Sequence, residues 1–72
     1  MMSGKEVREA RLSLGLSLSD MALMLGYKSQ KTQNLRTMQN DLENGSRNTR
    51  EPQKRLIDAY MSGYKPTDWP KD

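Results

Sequence analysis

Residues 26–47 read GYKSQKTQNLRTMQNDLENGSR, and the spacing of three apolar residues within them decides the fold. Leu35, Met38 and Leu42 lie three and four apart, so on a helix they form one narrow stripe and turn the remaining positions outward. The pattern predicts a helix over 33–44, capped by Thr32 and stopped by Gly45. At 100° per residue Gln33, Arg36, Thr37 and Asn40 point away from that stripe. The stretch also holds the amides Gln30, Gln33, Asn34, Gln39 and Asn40, with Lys28, Lys31 and Arg36 among them. Amides can pair with base edges and cations with phosphates, so an amide-rich outer face points toward nucleic acid. The plainer alternative is a solvated helix surface, which is more often faced with Lys and Glu.

Upstream, Ser3 and Glu6 have the spacing of a capping box, and Val7, Ala10 and Leu14 share one face of a helix over 4–14. Gly15 ends it. Ser17 is the expected cap of a second helix over 18–25, with Asp20 near its positive end and Leu18, Met21, Ala22 and Leu25 as its buried stripe. Gly26 stops this helix, and residues 27–31 make a polar connection to the next.

Downstream, Ser46 to Arg50 form a polar loop, and Glu51-Pro52 opens a fourth helix over 52–62, proline being tolerated in a first turn. Leu56, Ile57, Tyr60 and Met61 are its expected buried face and Gly63 its end. The tail over 64–72 contains Pro66 and Pro70 and is expected to run extended, with Tyr64 or Trp69 packed back on the body. The expected architecture is therefore all-α: a compact single domain, 1–72, of four helices with an extended C-terminal tail.

Composition narrows the function. The chain of 72 residues has no cysteine and no histidine. Disulfides and thiolate metal sites are thereby excluded, and so are the commonest general base and transition-metal ligand. Ser3, Ser17 and Ser29 sit where caps and turns explain them, and Asp41 and Glu43, two apart on one helix, do not face each other. No nucleophile–base constellation can be assembled, so the expectation is a non-enzyme without cofactor, metal or small-molecule ligand. The longest apolar run, Met21 to Leu25, is too short for a membrane span or a signal-peptide core. A soluble, intracellular protein without membrane contact is expected. A domain this small without staples often gains stability by associating, which suggests a homodimer.

Charge is unevenly placed. From Lys28 to Arg55 seven cations face three anions, whereas the rest of the chain carries five cations and six anions. All of the +3 net charge therefore gathers around the proposed reading helix, as it does in binders of polyanions.

Three segments carry a family resemblance: RLSLGLS over 11–17, MALMLG over 21–26 and LENGSR over 42–47. In this order they resemble the lambda-repressor-like, Cro/CI-type (XRE) helix-turn-helix regulators, over about Val7 to Met61. The ending AYMSGYKPTDWP is similar to small phage and prophage regulators of that class. The resemblance implies a transcriptional regulator, a repressor or autoregulator, acting on double-stranded DNA in the cytoplasm of a bacterial host. In that family helix 3 lies in the major groove and helix 2 crosses the backbone. Carried over by position, Gln33, Asn34, Arg36, Thr37 and Asn40 become the candidate base and groove contacts. Lys28, Lys31, Ser46, Arg47 and Arg50 become candidate phosphate contacts, with the start of helix 2 near Ser17 and Ser19 as a further one. The resemblance also implies a partly buried, structural ion pair between Arg11 and Glu43.

Three features depart from the family. Leu18 stands where many relatives have a phosphate-touching glutamine, the stretch from Gly26 to Glu43 is longer than in the shortest relatives, and no fifth helix offers a dimer surface. Leu12, Leu23 and Met24, with Tyr64 and Trp69 of the tail, are the candidate dimer or partner surface. Such a surface also fits a second reading on the same fold, a protein-interaction module such as an antitoxin or host-factor inhibitor.

Overall fold

Helices form here where side chains can satisfy the free ends of the backbone. In the computed structural model, which describes residues 2–70, four helices follow one another: α1 (Gly4–Leu14), α2 (Leu18–Met24), α3 (Thr32–Asn44) and α4 (Glu51–Met61). Met1 and the last two positions of the predicted tail, Lys71 and Asp72, lie outside the described residues. The Ser3 hydroxyl accepts from the Glu6 amide at 3.2 Å, and the Glu6 carboxylate accepts from the Ser3 amide at 3.1 Å. The same two Ser3 groups hold the Glu6 carboxyl below its ordinary pKa. Ser17 accepts from the Asp20 amide at 3.2 Å and so caps α2 as expected.

α3 starts differently from the expectation. Thr32 is already helical and Lys31 occupies the cap position with no side-chain bond to the helix amides. The chain is instead turned into α3 by Ser29, whose hydroxyl accepts from the Lys31 amide at 3.1 Å. The far end conforms: Gly45 has φ 88°, a left-handed conformation in which any Cβ would be strained, and this releases the chain into the 46–50 loop. α4 begins with Pro52 in its first turn, and the Gln53 side chain reaches back to accept from the Arg50 amide at 3.0 Å.

The core is built from Val7 and Ala10 of α1, Leu16, Met21, Met24 and Leu25 around α2, Leu42 of α3, and Ile57 and Tyr60 of α4. α3 packs most extensively on α2 and also against α1, while α4 closes on α1. The N-terminus of α1 meets the C-terminus of α3 so closely that a Cβ on Gly4 would lie 2.4 Å from the Glu43 carbonyl oxygen.

Several expected core assignments change. Gln39 is fully buried, whereas Met38 is only half-buried, because the face of α3 that meets its neighbours is centred between Leu35 and Gln39. Met61, in the last turn of α4, is 51% exposed, whereas Gln53 in its first turn is buried. Leu14, Leu18 and Leu56 are half-buried rather than central. α2 stops at Met24, one residue earlier than predicted, and Met24 is only 6% exposed, so it cannot serve as a partner surface. Its side chain belongs to the hydrophobic core, and the Tyr60 hydroxyl donates to its carbonyl at 2.7 Å. Tyr60 also receives the tail. Trp69 packs edge-on against its ring at 5.1 Å between centroids, and Tyr64 stacks parallel at 6.2 Å. Trp69 is thus half-buried in the body, and the tail bends through a turn closed by the Trp69 amide and the Pro66 carbonyl at 3.0 Å rather than running straight.

Candidate nucleic-acid interface

The five α3 residues proposed to read DNA are all exposed, but they are not equivalent. Asn34 donates to the Ser29 hydroxyl at 3.3 Å, and the Thr37 hydroxyl donates to the Gln33 carbonyl at 3.0 Å. Asn34 therefore braces the loop that leads into α3, and Thr37 keeps only acceptor capacity. Gln33, Arg36 and Asn40 make no side-chain hydrogen bond among the described residues and stand at i, i+3 and i+7 on the face opposite the core. That stripe is about 10 Å long at 1.5 Å per residue, or about three steps of a duplex at 3.4 Å each. Gln39 leaves the set of available amides, since it is fully buried and bonded to Glu43 rather than presented outward.

The cations divide in a parallel way. Lys54 pairs with Asp58 at 3.1 Å and Arg55 lies 3.9 Å from Glu51, both within α4. The Asp58 carboxylate, which is also the main cause, keeps the Lys54 ammonium protonated above its ordinary range. Lys28, Lys31, Arg36, Arg47 and Arg50 are exposed and, among the described residues, have no carboxylate within 4 Å. From Met21 to Asn40 the chain has no acidic residue at all. The loops on either side of α3 and its outer face thus present positive charge with no paired carboxylate among the described residues. Ser46 is exposed with its amide bonded to the Asn44 side chain at 2.9 Å, and its hydroxyl makes no hydrogen bond among the described residues. Ser17 and Ser19 lie with their hydroxyls 3.4 Å apart at the start of α2, but Ser17 is occupied by its cap.

What holds α3 in place is a buried polar cluster. Arg11 grips Glu43 with two bonds, Nε to Oε2 at 2.8 Å and Nη2 to Oε1 at 3.2 Å, and also donates to the Leu16 carbonyl at 3.1 Å. The two side chains are 14% and 7% exposed, so the ion pair is largely buried, as the resemblance implied. Gln39 Nε2 adds a third donor to Glu43 Oε2 at 2.7 Å, one turn away on α3. Together these bonds fix the rotation of α3 against α1 and hence which residues face outward.

Two residues near the interface were not picked out by their own neighbourhood in sequence. Arg8, one turn before Arg11, lines an open depression of about 260 Å³ with Arg11, Leu18, Asn40, Glu43 and Asn44, and so shares a surface with Asn40. The signal available in sequence was its i, i+3 spacing from Arg11. Tyr27 carries the Arg47 guanidinium over its ring at 5.7 Å, a contact across twenty positions with no local signature. Of the residues proposed for a partner surface, Leu12, Leu23 and Tyr64 are exposed, whereas Met24 and Trp69 pack inward. Comparison of the chain with protein-family models, with curated proteins and with solved structures finds no match in any of the three.

Proposed function

We propose that this protein is a sequence-specific DNA-binding regulator, of the helix-turn-helix type that its sequence resembles, which lays α3 in the major groove. The observation that carries the reading is the free stripe of Gln33, Arg36 and Asn40, flanked by four cations that lack carboxylate partners among the described residues. Side chains of these types pair bidentately with adenine or guanine. Lys28, Lys31, Arg47 and Arg50 lie on the loops before and after α3, where they would meet the two backbones that border a groove. The domain measures 28 × 28 × 19 Å, less than one turn of duplex at about 34 Å. Reading a two-part operator therefore takes two copies, and a homodimeric repressor or autoregulator of phage type is the form we favour.

The test separates readout from anchoring. Arg36→Ala and Asn40→Ala should erase the preference for the selected site over a scrambled duplex, each step being worth about 1–3 kcal/mol of discrimination. Lys31→Ala should weaken both duplexes alike. If the readout variants discriminate as well as the parent protein, α3 does not read the bases.

A protein-interaction module is the second reading, favoured by the exposed Leu12, Leu23, Met61 and Tyr64. An apolar interface would hardly respond to salt, whereas phosphate contacts respond steeply.

A further inference from the structure

We infer that Tyr27 is a positioning residue whose ring presents the Arg47 guanidinium as a clamp for one backbone phosphate of a duplex, beside α3. The inference rests on the DNA-binding reading above.

Both residues are fixed by their backbones before their side chains meet. The Tyr27 amide donates to the Ala22 carbonyl at 3.1 Å, and its half-buried ring packs against the hydrophobic core. The Arg47 amide donates to the Asp41 carbonyl at 3.1 Å, which folds the loop after Gly45 back onto the last turn of α3. The guanidinium then sits 5.7 Å from the ring centroid, within the range of a cation–π contact of about 6 Å. It makes no hydrogen bond and has no carboxylate within 4 Å among the described residues.

This arrangement leaves the useful part of the arginine free. The ring attracts the cation through its π face and occupies none of the guanidinium N–H donors, and the side chain is exposed. Phosphate oxygens match that planar fork in a bidentate way. A free arginine loses rotamer freedom when it binds, and one already held on a ring loses less. The stack also joins the loop that leads into α3 to the loop that leaves it, so the clamp stands at a fixed offset from the reading stripe. Tyr27 touches no phosphate in this scheme. It acts only through Arg47.

Anisotropy titrations of the full chain on a mixed-sequence duplex across a salt series test this, with each variant's melting temperature as a folding control. The set is Tyr27→Phe, Tyr27→Leu, Arg47→Ala, Arg47→Lys and the Tyr27→Leu/Arg47→Ala double variant. Tyr27→Phe, which keeps a π face, should bind within about twofold of the parent, whereas Tyr27→Leu should lose several-fold, as expected of a contact of this class. Arg47→Ala should lose more and flatten the log–log salt slope by about 0.9, one phosphate. The double variant should lose no more than Arg47→Ala alone, because Tyr27 has nothing left to position. Arg47→Lys should keep the slope and lose affinity.

Additive losses in the double variant, or Arg47→Lys binding like the parent, would overturn the positioning role. If Tyr27→Leu fails to fold, the Arg47→Lys result decides. A parent protein that binds with an unchanged slope in Arg47→Ala removes the clamp alone. A parent protein that does not bind DNA at low salt removes both the clamp and the reading on which it rests.

Discussion

Gln39 and Glu43 stand one turn apart on α3, and the buried Gln39 amide nitrogen donates to Glu43 Oε2 at 2.7 Å while the amide oxygen has no partner among the described residues. A buried amide with one good bond and one orphaned acceptor gains and loses similar amounts, since an unsatisfied buried group costs about 1–3 kcal/mol. Gln39→Met fills the same space and removes both terms. Its stability, read as a denaturant midpoint, should stay within about 1 kcal/mol of the parent. Gln39→Glu places a second carboxylate against Glu43 and should be far more destabilising. A large loss in Gln39→Met would mean that the amide bond, not the packing, is what matters.

Glu43 collects three donors, two from Arg11 and one from Gln39, so its removal strands a guanidinium and an amide in a largely buried place. Glu43→Ala should cost about 3 kcal/mol. For a domain of this size that lowers Tm by more than about 10 °C. Glu43→Gln, which still accepts, should lose less. A Glu43→Ala melt that overlays the parent would show that the cluster does not hold α1 and α3 together.

Gly4 reverses the usual sign of a glycine-to-alanine change. In an ordinary helix the alanine stabilises by about 0.5–1 kcal/mol. Here the new Cβ would lie 2.4 Å from the Glu43 carbonyl oxygen and 2.7 Å from that of Leu42, so backbone must move. Gly4→Ala should therefore destabilise by about 1–3 kcal/mol. Calorimetry showing a raised Tm would place α1 further from α3 than described.

Tyr60 ties stability to alkaline pH. Burial of the ring, with smaller contributions from Asp68 and Tyr64, pushes its hydroxyl above the ordinary value of 10.0. Between the two values the unfolded chain has released a proton that the folded chain retains. The contribution is thus complete below about pH 10 and disappears as pH rises through the higher folded-state value. Tyr60→Phe removes the bond to the Met24 carbonyl and should cost about 1 kcal/mol at neutral pH. Its Tm should then fall less steeply than the parent's above pH 10. Parallel declines would contradict the assignment.

Local chemistry was readable in the sequence. Ser3, Glu6 and Ser17 cap helices because capping needs only residues three positions apart, and Gly45 stops α3 through its own φ. Arg11 and Glu43 lie 32 positions apart, and it was the family resemblance, not spacing, that joined them. The features that escaped depend on how helices cross. Gln39 was grouped with the outward amides by chemical type, although it lies only about 40° around the helix from Leu35. Met24 lies in the core, and its carbonyl is bonded by Tyr60, 36 positions on. Gly4 matters only because the end of α3 arrives above it, and Tyr27 meets Arg47 only because two loops converge. At the interface the residue types were legible, but which of the five α3 side chains stay free was not: the bonds of Asn34 to Ser29 and of Thr37 to the Gln33 carbonyl emerge only with the backbone in place.

In the proposed reading, α3 and its flanking loops bind and read duplex DNA. The most direct measurement is binding of the purified chain to a pool of random duplexes at two salt concentrations, followed by sequencing of the retained fraction. With Lys28, Lys31, Arg47 and Arg50 each neutralising a phosphate, the log–log slope should approach about −3.6 per protomer, and the retained pool should be enriched in an inverted repeat with half-sites about 34 Å apart. An absence of binding at low salt, or an affinity indifferent to salt with no enriched sequence, would contradict the account and leave the protein-interaction reading in its place.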